Sequence, residues 1–204
     1  MRQTPSPLLG DGRGVFRIHV VGNAGSGKST LSRELARILN IPYICLDELF
    51  WKPGFEMETA EQFRVNVANA LANCPNGWVV DGDFRRRISD IVDTQTTDEI
   101  WLDLPLALYL PRLTIRTLAR LFGLAEPCRP GCEETLSVFF SRENMIWWCI
   151  TNHGVVRQRE AARYEKMGRE EGTDVENRKM RRIGGWGGQL RAWLEEVRDM
   201  RRGH

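Results

Sequence analysis

The sequence predicts a three-layer α/β domain, with a parallel sheet covered by helices on both faces. Three observations predict it. Short β-branched and apolar runs alternate along the chain with segments of helical periodicity, and such alternation implies parallel pairing through crossover helices. The first apolar run ends at a glycine and leads directly into a helix. No internal repeat or second domain boundary interrupts the pattern, and 204 residues are enough to bury one core.

Residues 1–14 hold several Pro and Gly and read as a flexible leader, with a single domain over 15–204. FRIHVVG (16–22) is β-branched and apolar, a buried strand. KSTLSRELARILN (28–40) places Leu31, Leu35, Ile38 and Leu39 at helical spacing and stops at Asn40 before Ile41-Pro42. IPYICLD (41–47) reads as the second strand. Thr59 caps a helix over 59–74. WVVDGD (78–83) and DEIWLDLP (98–105) are the third and fourth strands. Residues 106–123 are helical in period, with Pro111 a kink. Residues 125–134 form a loop, and 135–166 give one or two helices. The polar stretch 167–177 reads as a surface insertion, 178–185 as a last short strand, and 189–200 as a closing amphipathic helix.

Hydrophobic residues at 42% and charged residues at 27% are ordinary for a folded soluble protein. A net charge of +2 and the lack of a base-stacking motif argue against a nucleic-acid partner. Of the 29 basic residues only four are Lys, so Arg, with its planar fork of donors, dominates. Five Cys without a secretory signal point to free thiols in a reducing, cytoplasmic setting. No apolar stretch approaches the roughly 18 residues needed to span a bilayer.

The most informative segment is Gly22-Asn23-Ala24-Gly25-Ser26-Gly27-Lys28-Ser29-Thr30, which fits G-x-x-x-x-G-K-[ST] without a mismatch between a strand and a helix. Its glycines let several backbone N–H groups turn inward as a nest for phosphate oxygens. The following helix adds its positive end. Lys28 is suited to the β- and γ-phosphates, and the Ser29 hydroxyl to Mg²⁺. The loop therefore predicts a nucleoside triphosphate, ATP, as ligand.

Further constellations bear on the reaction. Asp81, ending an apolar strand, is the candidate for holding Mg²⁺ through water, with Asp83 second; a turn former before Gly82 is the plainer reading. Arg85 heads the run Arg85-Arg86-Arg87 and is placed to hold an acceptor's anionic group, while Arg86 and Arg87 read as solvated. Arg112, Arg116 and Arg120 share a helical face and, with Arg129, could form a lid over about 106–134; solvated arginines on an outer face are the alternative. Asp47 lies at a strand's carboxyl end beside Phe50 and Trp51, suiting a small acceptor with hydroxyl or amine groups, and the aromatic pair suits core packing equally. Cys128, Cys132, Cys149 and His153 offer four zinc-ligand types, but their pair spacings and the apolar run around Cys149 favour free thiols and no zinc.

Asp81-Gly82-x-x-Arg85 is similar to the D-G-F-P-R turn of adenylate kinases, and Arg112-Leu113-x-x-Arg116 to their R-L-x-x-R at the lid hinge. L46–G54, W78–F84 and W101–P105 resemble more closely the small adenylate-kinase-like proteins labelled DNA topology modulation (FlaR-type) proteins, over roughly residues 16–150. Asp83-Phe84 stands where that group has Asn-Tyr. The resemblance implies a P-loop NTPase fold with a five-stranded parallel sheet and a helical lid. It also implies ATP-dependent phosphotransfer, with Arg85 touching the acceptor and Arg112 and Arg116 serving ATP and the transition state.

The expectation is an ATP-dependent kinase acting with Mg²⁺ on a nucleotide or small-molecule acceptor. Lys28, Arg112 and Arg116 would act in catalysis, and Asp47, Trp51 and Arg85 at the acceptor. A P-loop NTPase without a specific acceptor and a nucleotide-dependent, DNA-associated regulator are the alternatives.

Overall fold

The computed structural model describes residues 6–122, 124 and 145–203. Its five strands are β1 (Phe16–Gly22), β2 (Tyr43–Cys45), β3 (Gly77–Asp81), β4 (Asp98–Asp103) and β5 (Met180–Gly184). They form one sheet in the order β2-β3-β1-β4-β5, every neighbouring pair parallel. The helices are α1 (Lys28–Leu39), α2 (Leu46–Phe50), α3 (Ala60–Ala72), α4 (Arg85–Val92), α5 (Leu106–Leu121), α6 (Met145–Met167) and α7 (Gly188–Arg202).

Alternation along each strand sorts the side chains into two cores. On one face Ile18 and Val20 of β1, Val79 of β3 and Ile100 and Leu102 of β4 pack on Leu31, Leu35 and Leu39 of α1 and on Trp193 and Val197 of α7. On the other, Trp78 and Val80 of β3 meet Phe63, Val67 and Leu71 of α3 and Ile88 and Val92 of α4. Beside them, Val21, Trp101 and Met180 pack against Ala161, Tyr164 and Met167 of α6. The sheet is thus the middle of three layers, as the sequence predicts. β1 at its centre opens the phosphate loop between the carboxyl ends of β3 and β4.

The helices start and stop for local reasons. Thr59 accepts a hydrogen bond from Gln62 N at 3.2 Å and caps α3. Asn40, at φ 55°, closes α1 in the left-handed conformation that Asn tolerates. α5 runs through Pro111 to Leu121.

Two helices were not anticipated. Leu46 and Asp47, expected to end the second strand, instead open α2, so β2 is three residues long. Residues 85–92 form α4, whose apolar face is Ile88 and Val92. The leader, expected to be loose, is docked where it is described. Leu8 is 1% exposed, and Leu9 N and Gly10 N donate to the Asp98 carboxylate at 2.6 and 2.9 Å. The Pro7 carbonyl accepts from Arg169 and from Trp193 Nε1. The stretch 167–177 is tied to β5 by a bridge between Gly168 and Met180 and by Arg169 N donating to the Met180 carbonyl at 3.0 Å. No helix among the described residues is long and apolar enough to cross a membrane.

Candidate active site

The phosphate loop occupies the junction of β1 and α1. Gly22 has φ +142°, and a Cβ there would lie 2.7 Å from the Leu102 carbonyl, so the loop leaves the sheet through a residue without a side chain. Gly27, at φ +97°, is the N-cap of α1 and supplies no side-chain cap; the helix has no acid in its first turn. The first-turn N–H groups and the positive end of a 12-residue helix are therefore directed at the loop without a competing side-chain acceptor from the cap. Lys28 Nζ donates to the Asn23 carbonyl at 2.9 Å, which holds the ammonium over the loop. Ser26 is 4% exposed, and its Oγ finds no partner among the described residues. A buried hydroxyl without an acceptor costs free energy unless a ligand satisfies it.

The outer wall of the loop comes from α5 and α6. A Cβ on Gly25 would meet Leu113 Cδ2 at 3.1 Å. Asn23 Nδ2 donates to Tyr109 Oη and to the Cys149 carbonyl, both at 2.9 Å. Cys149 Sγ lies 3.3 Å from the Ala24 carbonyl, and burial pushes the thiol pKa up. Cys149 and His153, weighed as zinc ligands, are thus engaged with the loop and with Tyr109, whose Oη is 2.8 Å from His153 Nδ1. Cys128 and Cys132 lie outside the described residues.

Asp81 ends β3 in register with Val20 of β1 and Cys45 of β2 and is 2% exposed. Tyr43 Oη donates to Asp81 Oδ1 at 3.1 Å and also bonds the Ser29 side chain. Ser29, Tyr43 and Asp81 therefore meet at the root of α1. Burial and the Asp81 charge raise the Tyr43 pKa and push the Cys45 thiol up to about 12, so both stay protonated at neutral pH. One hydroxyl with a carboxylate just behind it fits a hard cation bound by Ser29 directly and by Asp81 through water. Asp83 instead pairs with Arg159 of α6.

Arg85 points into the protein. Its guanidinium is buried and paired with Asp93 at 2.7 Å and with Glu99, with Asp83 at 3.9 Å and Glu160 at 4.0 Å. Burial disfavours the cation, but the Glu99, Asp93 and Glu160 carboxylates outweigh this and raise its pKa. Its forked donors are thus engaged with interior carboxylates. Arg86 and Arg87 are exposed, as expected for a solvated run, and Arg87 covers the Phe50 ring at 4.7 Å.

Phe50 is core: it is 3% exposed and packs edge-on against Phe63 at 5.2 Å. Trp51 is half-buried and edge-on to Phe50, and Asp47 lies exposed on α2, one strand away from Asp81. On α5, Arg112 and Arg116 are exposed and Arg120 is half-buried, beside the face whose Tyr109, Leu113 and Thr117 are buried. Arg129 and the rest of 125–134 lie outside the described residues.

Sequence reasoning missed the polar wall at the carboxyl ends of β4 and β5. There Asp103 accepts from Arg157 Nε at 3.0 Å and from Arg182. These residues line a cavity of about 590 Å³ together with His153, Tyr164, Gln189 and Gly184. Arg157 and Arg182 carry no motif, so nothing in the sequence marked them, and His153 stood out only as a zinc-ligand type.

No protein-family model matches the chain, and no curated protein sequence matches it. Among solved structures it is similar to a shikimate kinase from Bacteroides thetaiotaomicron, with 20% identity over 92% of this chain and 97% of that one and a TM-score of 0.49. It is also similar to a gluconokinase from Sinorhizobium meliloti, with 15% identity over 94% and 96% and a TM-score of 0.48. At these identities the likeness concerns the course of the backbone alone.

Proposed function

We propose that the protein is an ATP-dependent phosphotransferase acting with Mg²⁺ on a nucleotide or small-molecule acceptor. The phosphate cup supports this reading: α1 amides without a side-chain cap, a buried Ser26 hydroxyl with no partner among the described residues, and Lys28 poised above the loop. The adjoining cavity at the β4 and β5 ends is where the nucleoside half would extend, a crevice of the kind open α/β sheets offer outside their strand ends.

In this reading Lys28 leaves the Asn23 carbonyl for the β- and γ-phosphates. Ser29 and Asp81 would hold Mg²⁺, which would supply positive charge to offset that of the phosphates. An acceptor oxygen near Asp47 and Trp51 forms the new bond to the γ-phosphorus while the bond to the β-phosphate oxygen breaks, and ADP leaves. Asp47 accepts the acceptor's proton and passes it to solvent. Arg112, Arg116, Arg120 and Arg129 would neutralise the phosphoryl in flight. Arg85, held by interior carboxylates, serves better to brace the 81–84 turn than to touch an acceptor.

Calorimetry with Mg-ATP tests the first half, with binding expected and no heat from any triphosphate refuting it. A screen of nucleoside monophosphates, nucleosides and hydroxylated metabolites for phosphorylation tests the second. Steady ATP turnover without any acceptor identifies an NTPase instead. ATP binding without turnover, combined with salt-sensitive DNA binding, identifies a regulator.

A further inference from the structure

One set of buried polar groups takes no part in the steps above. Tyr109 is 2% exposed, on α5, and its hydroxyl lies between Asn23 of the phosphate loop and His153 of α6. Asn23 Nδ2 has two hydrogens, and they go to Tyr109 Oη and to the Cys149 carbonyl. An Oη that accepts from an amide keeps its own proton to give, and His153 Nδ1 is 2.8 Å away to accept it. In the neutral ring that direction puts the remaining hydrogen on Nε2. His153 is also one of the residues lining the 590 Å³ cavity. At the far end, the Asn23 backbone carbonyl accepts from Lys28 Nζ at 2.9 Å. A continuous polar chain, His153–Tyr109–Asn23–Lys28, thus runs from the cavity to the lysine over the phosphate loop and crosses α6, α5 and α1.

We infer that Tyr109 and His153 are positioning residues that make the phosphate loop sensitive to what fills the cavity, so that a nucleoside triphosphate is held better than bare polyphosphate. The inference rests on the ATP reading above. His153 Nε2–H is the donor offered to a hydroxyl or ring nitrogen of the nucleoside. Once that bond fixes the ring, Tyr109 has one acceptor direction, and Asn23 is fixed in turn. Asn23 is where the constraint becomes chemistry, because its carbonyl sets the resting place of Lys28. The second bond from Asn23 to Cys149 keeps the loop folded when the tyrosine hydroxyl is removed, so the chain can be cut without dismantling the cup.

The experiment compares Mg-ATP with magnesium tripolyphosphate, which has the phosphates without the nucleoside, by calorimetry on wild type, Tyr109→Phe, His153→Ala and the double variant. Wild type is expected to prefer ATP. Each single variant is expected to cut that preference about five- to tenfold while changing the tripolyphosphate Kd by less than about threefold. The double variant falls no further than His153→Ala, because both changes cut one chain. Equal losses for both ligands would reduce the pair to scaffolding and overturn the inference, as would an unchanged preference or additive losses. Wild type that binds neither ligand removes the phosphate cup itself, and the inference falls with it.

Discussion

Lys28 shows how little of a site one residue specifies alone. Its ammonium rests on the Asn23 carbonyl, and Asn23 in turn rests on Tyr109 and Cys149. Lys28→Ala is expected to reduce ATP-dependent turnover by about 10²-fold or more, since it removes a cation from the transferring phosphoryl. A melting curve should barely move, because the side chain is only half-buried; retained turnover would reject Lys28 as the phosphate ligand. Asp81→Asn keeps the shape and the Tyr43 bond but loses the charge, so a magnesium titration of ATP binding should shift by roughly tenfold to higher metal. At this scale the loop was legible because its backbone angles demand Gly22 and Gly27 and its chemistry demands Lys and Ser. Tyr109 and His153 were not, because they stand 44 residues apart and meet only through the packing of α5 against α6. Arg85 was legible as a motif position, but its direction depends on Asp93 at the far end of its own helix and on Glu99 of β4.

Among the elements, α4 and α6 are joined to the sheet by a charge network in addition to their apolar contacts. Arg85, Arg159 and Arg163 mesh with Asp83, Asp93, Glu99 and Glu160. Burial pushes the Asp93 carboxyl up, yet the His19 hydrogen bond and the Arg85 charge bring it down to about 2. Its folded pKa therefore lies below the unfolded value of 3.8. The stabilisation is complete above about pH 5 and is lost as pH falls toward 2. Asp93→Asn should accordingly cost about 2 kcal/mol at neutral pH, read by urea unfolding, and the gap to wild type should close near pH 2. A pH-independent gap would mean that the charge is not the cause. Burial pushes Glu160 the opposite way, but Glu160 is present in both proteins and cancels in the difference. This arrangement also explains which elements the sequence showed. The central strands carry compact apolar runs, such as Val20-Val21 and Trp78-Val79-Val80, and were readable, whereas α4 opens with three arginines and buries only Ile88 and Val92 among its apolar residues. α2 went unread, its first two residues reading as the end of a strand, because five residues hold too little periodicity to show a helix.

For the molecule as a whole, the docked residues 7–10 matter more than their composition suggests. Leu8 sits in the same core as α1 and α7, and Asp98 receives two backbone amides from Leu9 and Gly10. Leu8→Ala is expected to lower unfolding free energy by about 2–4 kcal/mol, measured by denaturant titration, with Mg-ATP affinity unchanged because the contact lies at the amino ends of the strands. A loss under about 0.5 kcal/mol would restore the loose-leader reading. Gly and Pro in this stretch rule out a helix or strand, and that much the sequence foretold correctly; it could not foretell that an irregular backbone would find its hydrogen-bond partners in side chains from β4, α7 and the loop after α6.

The Pro7 carbonyl accepts from the indole of Trp193, 186 residues further along. A chain emerging from the ribosome makes residues 6–10 long before Trp193, the partner that anchors them. Until α7 emerges, Leu8 therefore has nothing complete to bury against. The nascent protein can close this clasp only once α7 has emerged, so the fold becomes secure long after the phosphate loop has been made.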